Sequence, residues 1–283
     1  MKYLVLGANG QLGSEFKSYF NSHKISYTAY DIEELDISNY INLRDEIDKT
    51  RPDVIINCAA YNLVDKAETD EMMAFKINTS APSYLAILSE KLGIKLIHYS
   101  SDYVFNGDKG SQYIETDTTV PLNTYGRSKL AGENEVINIA KDYLVFRLSW
   151  VYGMGKQNFI YKINKWSQTQ KLLRIVTDEI SVPTSTRLVV ELTLNAINKG
   201  LNGLYHLVNN GYGRRYDWAS EIISNLNLDV KIEPAKYDDF NFAAQRPKFS
   251  AMSNSLITAK LKIEIPDWKL ELKEYVNREF YKK

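Results

Sequence analysis

A short apolar run, Tyr3 to Leu6, passes directly into Gly7-Ala8-Asn9-Gly10-Gln11-Leu12-Gly13, and Leu12, Phe16, Tyr19 and Phe20 then recur at helical spacing. A strand, a glycine turn and an amphipathic helix in that order leave the chain few folds to choose from. Glycine lets the backbone turn tightly and come close to a bound diphosphate, whose charge meets the unpaired N–H groups and the dipole at the helix start. The spacing is Gly-x-x-Gly-x-x-Gly, longer at its first step than the dinucleotide fingerprint Gly-x-Gly-x-x-Gly. Three glycines at such a junction also suit a tight connection without a ligand, so the motif gains its meaning from the residues downstream.

Downstream the alternation continues. Tyr3 to Leu6, Ile25 to Tyr30, Val54 to Asn57, Ile94 to Ser100 and Tyr143 to Ser149 read as strands, with helical periods or turns between them. Ser38 is placed to cap a helix carrying Tyr40, Leu43 and Ile47, and Asp70 to Leu92 reads as helix until Gly93 stops it. The pattern predicts an α/β fold, a Rossmann-type doubly wound parallel sheet with helices on both faces. After Trp150 the alternation turns irregular, and a smaller, interleaved C-terminal α/β substrate lobe is expected. Residues 1–152 are assigned to the dinucleotide-binding domain, joined by about 174–199 as a strand–helix pair returning to the main sheet; 153–173 and 200–283 are assigned to the substrate-binding lobe.

Charge narrows the ligand class. Thirty-five basic residues balance thirty-five acidic ones, so no overall field favours nucleic acid or an anionic membrane surface, and a small molecule is expected. No apolar run approaches the roughly 20 residues of a bilayer-spanning helix, and Tyr3 to Leu6 is too short for a signal-peptide core. The single Cys58 excludes an intrachain disulfide framework and suits a reducing compartment. A cytoplasmic protein is expected.

Two further patterns bear on chemistry. Asp31 ends the second strand, where an acid commonly accepts hydrogen bonds from an adenosine ribose and repels a 2′-phosphate; it also belongs to an acidic loop with Glu33 and Glu34. Tyr125 and Lys129 stand four residues apart, which on a helix puts phenol and ammonium on one face. A neighbouring cation draws a phenol's pKa toward neutrality and makes it a usable proton shuttle, and Lys129 is also placed to hold a nicotinamide ribose. The same pair occurs by chance in a chain with twenty tyrosines. Ser100 and Ser101 at the end of the fourth strand add a hydroxyl at the sheet edge where ligands bind, though either also suits a turn before Asp102.

On these residues the chain resembles the extended short-chain dehydrogenases, and within them the dTDP-4-dehydrorhamnose reductase family. The likeness runs through Gly7 to Gly13, Arg51 to Ala60, Val64 to Glu68, His98 to Phe105, Glu115 to Asp117, Pro121 to Leu130 and Arg147 to Gly153. It continues in Asn158-Phe159, Pro183-Thr184, Gly203 to His206 and Arg246-Pro247. It implies reduction, by NADPH or NADH, of the C4 ketone of a nucleotide-activated 6-deoxy-4-keto-hexose, dTDP-4-dehydro-L-rhamnose before related 4-keto sugar nucleotides. Ser101, Tyr125 and Lys129 become the catalytic set. The implied cofactor contacts are Gly7, Asn9, Gly10, Gln11, Leu12, Gly13, Asp31, Asp36, Ile37, Cys58, Ala59, Ala60, Tyr61, Tyr125 and Lys129. The implied substrate contacts are Ser101, Asp102, Tyr103, Trp150, Asn158 and Arg246, the last by its fork of donors.

Neighbouring chemistries are separable. Sugar-nucleotide dehydratases place Asp-Glu after the hydroxyl residue, and the glutamate is their base; here Asp102-Tyr103 follows Ser101, which favours ketone reduction over elimination. Epimerases share the Tyr-Lys pair but not the whole-length likeness. Ser101 stands where the family more often has threonine, and Tyr61-Asn62 where it more often has His-Thr. Some members are bridged as dimers by magnesium; Glu15 occupies one such position without the rest of the set, so no essential metal is expected, and monomer and homodimer both stay open. The chain also resembles the beta subunit of methionine adenosyltransferase, a non-catalytic regulatory subunit that binds a nicotinamide cofactor. The intact Ser101, Tyr125 and Lys129 weigh against that reading.

Overall fold

A computed structural model describes residues 1–281. Six parallel strands form the central sheet in the order β10-β5-β4-β3-β1-β2. They are β1 (Tyr3–Leu6), β2 (Tyr27–Tyr30), β3 (Val54–Asn57), β4 (Lys95–Ser101), β5 (Tyr143–Leu148) and β10 (Gly203–His206). Parallel strands need crossovers, and these are helices that cover both faces. Successive strand residues point to opposite sides. Tyr3, Val5, Ile56, Ile97 and Phe146 therefore pack against α1 (Gln11–Ser22), α8 (Thr186–Asn198) and α10 (Ser255–Leu261). Leu4, Leu6, Ile55, Leu96 and Val145 pack against α2 (Tyr40–Thr50), α5 (Ala81–Leu92) and α6 (Thr124–Ile139). The five strands and the doubly wound class read from the sequence are present.

The chain leaves β1 for β2 on one side and then crosses back to β3 on the other, so a crevice opens at the carboxyl ends of β1 and β3. Between β3 and α5 lie the short helices α3 (Val64–Ala67) and α4 (Glu71–Phe75) and a π turn, Lys76–Ser80. The expected helix from Asp70 to Leu92 is thus divided by that turn; Gly93, at φ 66°, ends it in the left-handed conformation. The α2 cap is Asn39, one residue after the expected Ser38: Asn39 accepts from the Asn42 N–H at 3.2 Å, because the Ser38 hydroxyl is engaged by Asp36 at 2.6 Å.

The second lobe centres on a parallel pair, β7 (Leu172–Val176) with β12 (Lys231–Ala235). Helices α7 (Phe159–Ser167), α9 (Arg215–Leu226) and α11 (Trp268–Phe280) close around Leu173, Ile175, Trp218, Ile222, Trp268 and Leu272. Short pairs complete the junction: β6 (Val151–Tyr152) with β9 (Thr184–Ser185), and β8 (Ile180–Ser181) with β11 (Gly213–Arg214).

The interleaving differs from the expected boundaries. In 174–199 only the helix returns: α8 packs on α1, whereas β7 pairs with β12, away from the main sheet. Leu173 and Ile175 are buried and Leu172 and Arg174 exposed, the alternation of a ribbon covered on one face. Conversely β10 and α10, assigned to 200–283, belong to the first lobe: β10 pairs with β5, and Ile257 and Leu261 share a core with Val5 and Phe16. No described helix is long and apolar enough to cross a membrane.

Candidate active site

A cleft of about 860 Å³ opens where the carboxyl ends of β1, β3, β4 and β5 face the second lobe. Gly10, Gln11, Leu12, Asn57, Cys58, Ala59 and Ala60 form one end, Ser101, Asp102, Tyr103, Tyr125 and Lys129 the middle, and Trp150, Asn158 and Arg246 part of the far wall.

At the first end the glycine turn is built on backbone contact. Gly7 sits at φ 73°, and a Cβ on Gly13 would lie 2.2 Å from the Gly7 carbonyl oxygen, so no side chain fits between the turn and its helix. Gly10 begins α1 with no side chain capping it and no acid in the first turn, which leaves the positive end of the helix turned to the cleft. Gln11 Oε1 is buried there without a hydrogen-bond partner. An anionic ligand bearing a donor fits both observations, as a nicotinamide dinucleotide does.

Asp31 does less than expected for a free ligand group. Its Oδ2 accepts from the Asn9 N–H at 2.6 Å and its Oδ1 from the Ile32 N–H at 2.8 Å, so it braces the turn. Asp36 is bonded to Ser38, and Ile37 is buried under the sheet with Leu4 and Leu43. Tyr61 is also off the cleft surface: its N–H donates to Asn78 of the π turn at 2.8 Å and its hydroxyl to Asp70 at 3.0 Å. Its ring packs in the small cluster that supports Tyr125.

Tyr125 and Lys129 share one face of α6, whose cap, Asn123, accepts from the Gly126 N–H at 2.7 Å and donates to the Gln245 carbonyl at 2.7 Å. Lys129 donates to the Tyr99 carbonyl at 2.5 Å and is buried; burial pulls its pKa down to about 8, against the Glu133 carboxylate one turn on. Burial pushes the Tyr125 phenol up to about 12, with the Ser101 hydroxyl offsetting part of the rise and the Asp102 charge adding to it. The i, i+4 spacing alone predicts a phenol lowered by Lys129, and the structure reverses that expectation. The ammonium instead serves a backbone carbonyl, so desolvation dominates and the phenol holds its proton.

Ser101 Oγ accepts from the Tyr103 N–H at 3.2 Å and donates to Asp102 Oδ1 at 3.2 Å. Ser100 also reaches the cleft, its hydroxyl buried without a partner. Tyr103, where a dehydratase would carry its glutamate, sets its ring edge-on to Tyr125 at 5.7 Å.

On the far wall Trp150, in the left-handed region at φ 39°, stacks on Trp218 at 5.5 Å and carries the Arg215 guanidinium over its face at 3.7 Å. Asn158 is also structural: it caps α7 through the Tyr161 N–H at 2.9 Å and donates to the Gly153 carbonyl at 2.8 Å. Arg246 pairs with Asp65 at 2.6 Å and lies over Phe242 at 4.2 Å. Arg215, Glu179, Arg174, Phe240 and Phe242 belong to the same wall, and no sequence motif points to them. Arg215 follows Arg214 in an otherwise unmarked stretch, and only the fold carries Glu179 to it at 3.3 Å.

The chain is similar to known proteins along nearly its whole length. The family model described as "RmlD substrate binding domain" matches residues 1–280. A dTDP-4-dehydrorhamnose reductase of Burkholderia thailandensis is 34% identical, covering 95% of this chain and 96% of that protein. The crystal structure of a dTDP-4-dehydrorhamnose reductase from Clostridium acetobutylicum superposes with a TM-score of 0.95 at 34% identity, over 98% of this chain and 99% of the other. One from Bacillus anthracis, solved in complex with NADP, gives 0.95 at 32% identity over the same shares. With a family model, a relative and a solved structure all matching along nearly the whole length, the chain belongs to the RmlD substrate-binding-domain family.

Proposed function

We propose that the protein reduces the C4 ketone of a nucleotide-activated 6-deoxy-4-keto-hexose, converting dTDP-4-dehydro-L-rhamnose to dTDP-L-rhamnose at the expense of NADPH or NADH. The observation that carries this reading is the Tyr125 phenol, held protonated by burial beside Ser101 and Lys129 in the cleft that the α1 N-terminus also faces. Its relatives' activity supports the substrate, and the NADP complex of the Bacillus anthracis protein supports the cofactor.

Gly10, Gln11, Leu12 and the start of α1 would hold the dinucleotide's diphosphate, Asp31 the region of its adenosine ribose, and Cys58, Ala59 and Ala60 its path along the sheet edge. The bound nicotinamide supplies the hydride. Tyr125 donates its proton to the ketone oxygen as negative charge develops there, and Lys129, one turn on along the same face of α6 and with its pKa down at about 8, would turn from the Tyr99 carbonyl toward the phenolate left behind. Trp150, Asn158 and Arg246 shape the sugar-nucleotide half of the cleft, with Arg246 and Arg215 offering cations to a diphosphate. The same reading makes the enzyme cytoplasmic, in keeping with the free Cys58 thiol.

The test is loss of reduced-nicotinamide absorbance with dTDP-4-dehydro-L-rhamnose and a panel of other 4-keto sugar nucleotides, each with both cofactors. Turnover is expected with the dTDP sugar. Absence of turnover with every member, alongside tight binding of a partner protein, would return the chain to the regulatory-subunit class.

A further inference from the structure

Three segments meet at one buried carboxylate. Asp102, 2% exposed, accepts from Ser181 Oγ at 2.8 Å and Ser250 Oγ at 2.6 Å on Oδ2, and from Ser101 Oγ at 3.2 Å on Oδ1. Ser101 ends β4, Ser181 lies in β8 at the lobe junction, and Ser250 follows the Arg246-Pro247 segment. Three hydroxyls are thus spent on one acid, and one of them is the hydroxyl expected to assist the ketone.

A serine has one proton and two lone pairs, an ionised carboxylate only accepts, and a protonated one gains a single donor. In this structure the Ser101 proton is shared between Asp102, at 3.2 Å, and the Tyr125 phenol, and while it lies on Asp102 one lone pair takes the Tyr103 N–H. What remains toward the cleft is a lone pair, which cannot assist a ketone oxygen. With Asp102 protonated the inventory closes differently. The Asp102 O–H and the Tyr103 N–H fill both Ser101 lone pairs, and the single Ser101 proton is released toward the cleft.

We propose that Asp102 is a positioning residue that sets the direction of the Ser101 hydroxyl, turning it from acceptor to donor at the ketone oxygen when the carboxyl is protonated. No bond forms or breaks at Asp102 or Ser101; the proton that ends on the substrate oxygen is still that of Tyr125, so the proposal rests on the reductase reading. The surroundings favour such a switch. Burial raises Asp102 to about 6, with Ser250, Ser181, Ser101 and the field of Arg215 opposing the rise. Arg215 itself is held by Glu179, so it acts on Asp102 only through space. The other titratable groups facing Asp102, Tyr103 and Tyr125, are both raised by burial and stay neutral. A sugar that expels water from the cleft moves Asp102 further up.

The experiment is kcat/KM against pH, which reports the free enzyme. In the wild type it should fall about tenfold, the worth of one hydrogen bond to a developing alkoxide, as pH rises through about 6, and then level off. The corresponding limb of kcat should lie higher. Ser250→Ala removes a donor to the carboxylate and should move the limb up by roughly half to one pH unit. Asp102→Asn should remove the limb altogether. In ligand-free protein, the carboxylic C=O infrared band should titrate with the same midpoint, shift with Ser250→Ala and vanish in Asp102→Asn. Should Asp102→Asn fail to fold by its melting curve, Ser181→Ala replaces it with the same upward shift expected. A limb that stays put in Ser250→Ala while the infrared band moves would overturn the proposal and leave the reductase reading standing. No reduction at any pH would overturn both.

Discussion

Tyr125→Phe is expected to lower turnover by about a thousandfold, in the range assigned to a positioned general acid, with cofactor affinity unchanged. The substitution removes one oxygen and no packing. The ring stays edge-on to Tyr103 at 5.7 Å and stays against the Tyr61 cluster, so α6 has no reason to shift. What is lost is a phenol that burial keeps loaded with a proton, beside a lysine whose own pKa is down at about 8. Steady-state assay of the variant, with dinucleotide affinity measured by fluorescence, separates the two effects. Activity within a few-fold of wild type would mean that another group protonates the ketone oxygen.

The largest effect on stability is expected about two turns further along the same helix. Glu133 and Arg147 are 1% and 4% exposed, and the guanidinium engages both carboxylate oxygens, with Nε to Oε2 at 3.0 Å. Arg147 also lies over the Phe105 ring at 5.1 Å. Its neighbour His206, held neutral by burial and by the arginine itself, down at about 3, at least adds no second positive charge, and Glu115 reaches the arginine only through space. Glu133→Ala therefore strands a positive charge in the core and should cost about 3–5 kcal/mol, read from the denaturant midpoint. Because the Glu133 carboxylate also supports the charged form of Lys129, the variant should push the lysine's pKa lower still. A loss under about 1 kcal/mol would mean that water reaches the arginine once the glutamate is gone.

The first lobe is legible in the sequence because its signals are local. A strand buried on both faces is an unbroken apolar run, as in Val54 to Ile56, and Gly93 marks a helix end whatever surrounds it. Partner choice is not local. Nothing in Leu172 to Val176 states that it pairs with Lys231 to Ala235 rather than with the main sheet, and Gly203 to His206 carries no mark of its place beside β5. In the cleft, residues are legible where a motif joins them. Arg215 and Glu179, brought together only by the junction of the lobes, are not. The electrostatics are harder to read than the positions: a spacing that sets ammonium near phenol says nothing about the Tyr99 carbonyl to which Lys129 turns. Similarly, the excess of carboxylates after β2 gives no hint that Asp31 is taken up by the Asn9 and Ile32 N–H groups.

The late strand beside β5 has a consequence for how the chain is made. A ribosome releases β1 to β5 well before residues 203–206, and before Ile257 and Leu261 can cover the face holding Val5 and Phe16. Until then the nascent sheet shows an open hydrogen-bonding edge along Leu144 to Arg147 and an apolar face with part of its cover missing. The first lobe is therefore not a unit that matures first and waits for its partner. That lobe is complete only once Leu261 has been made, and any shortening that removes Ser255–Leu261 damages the sheet that begins at Tyr3.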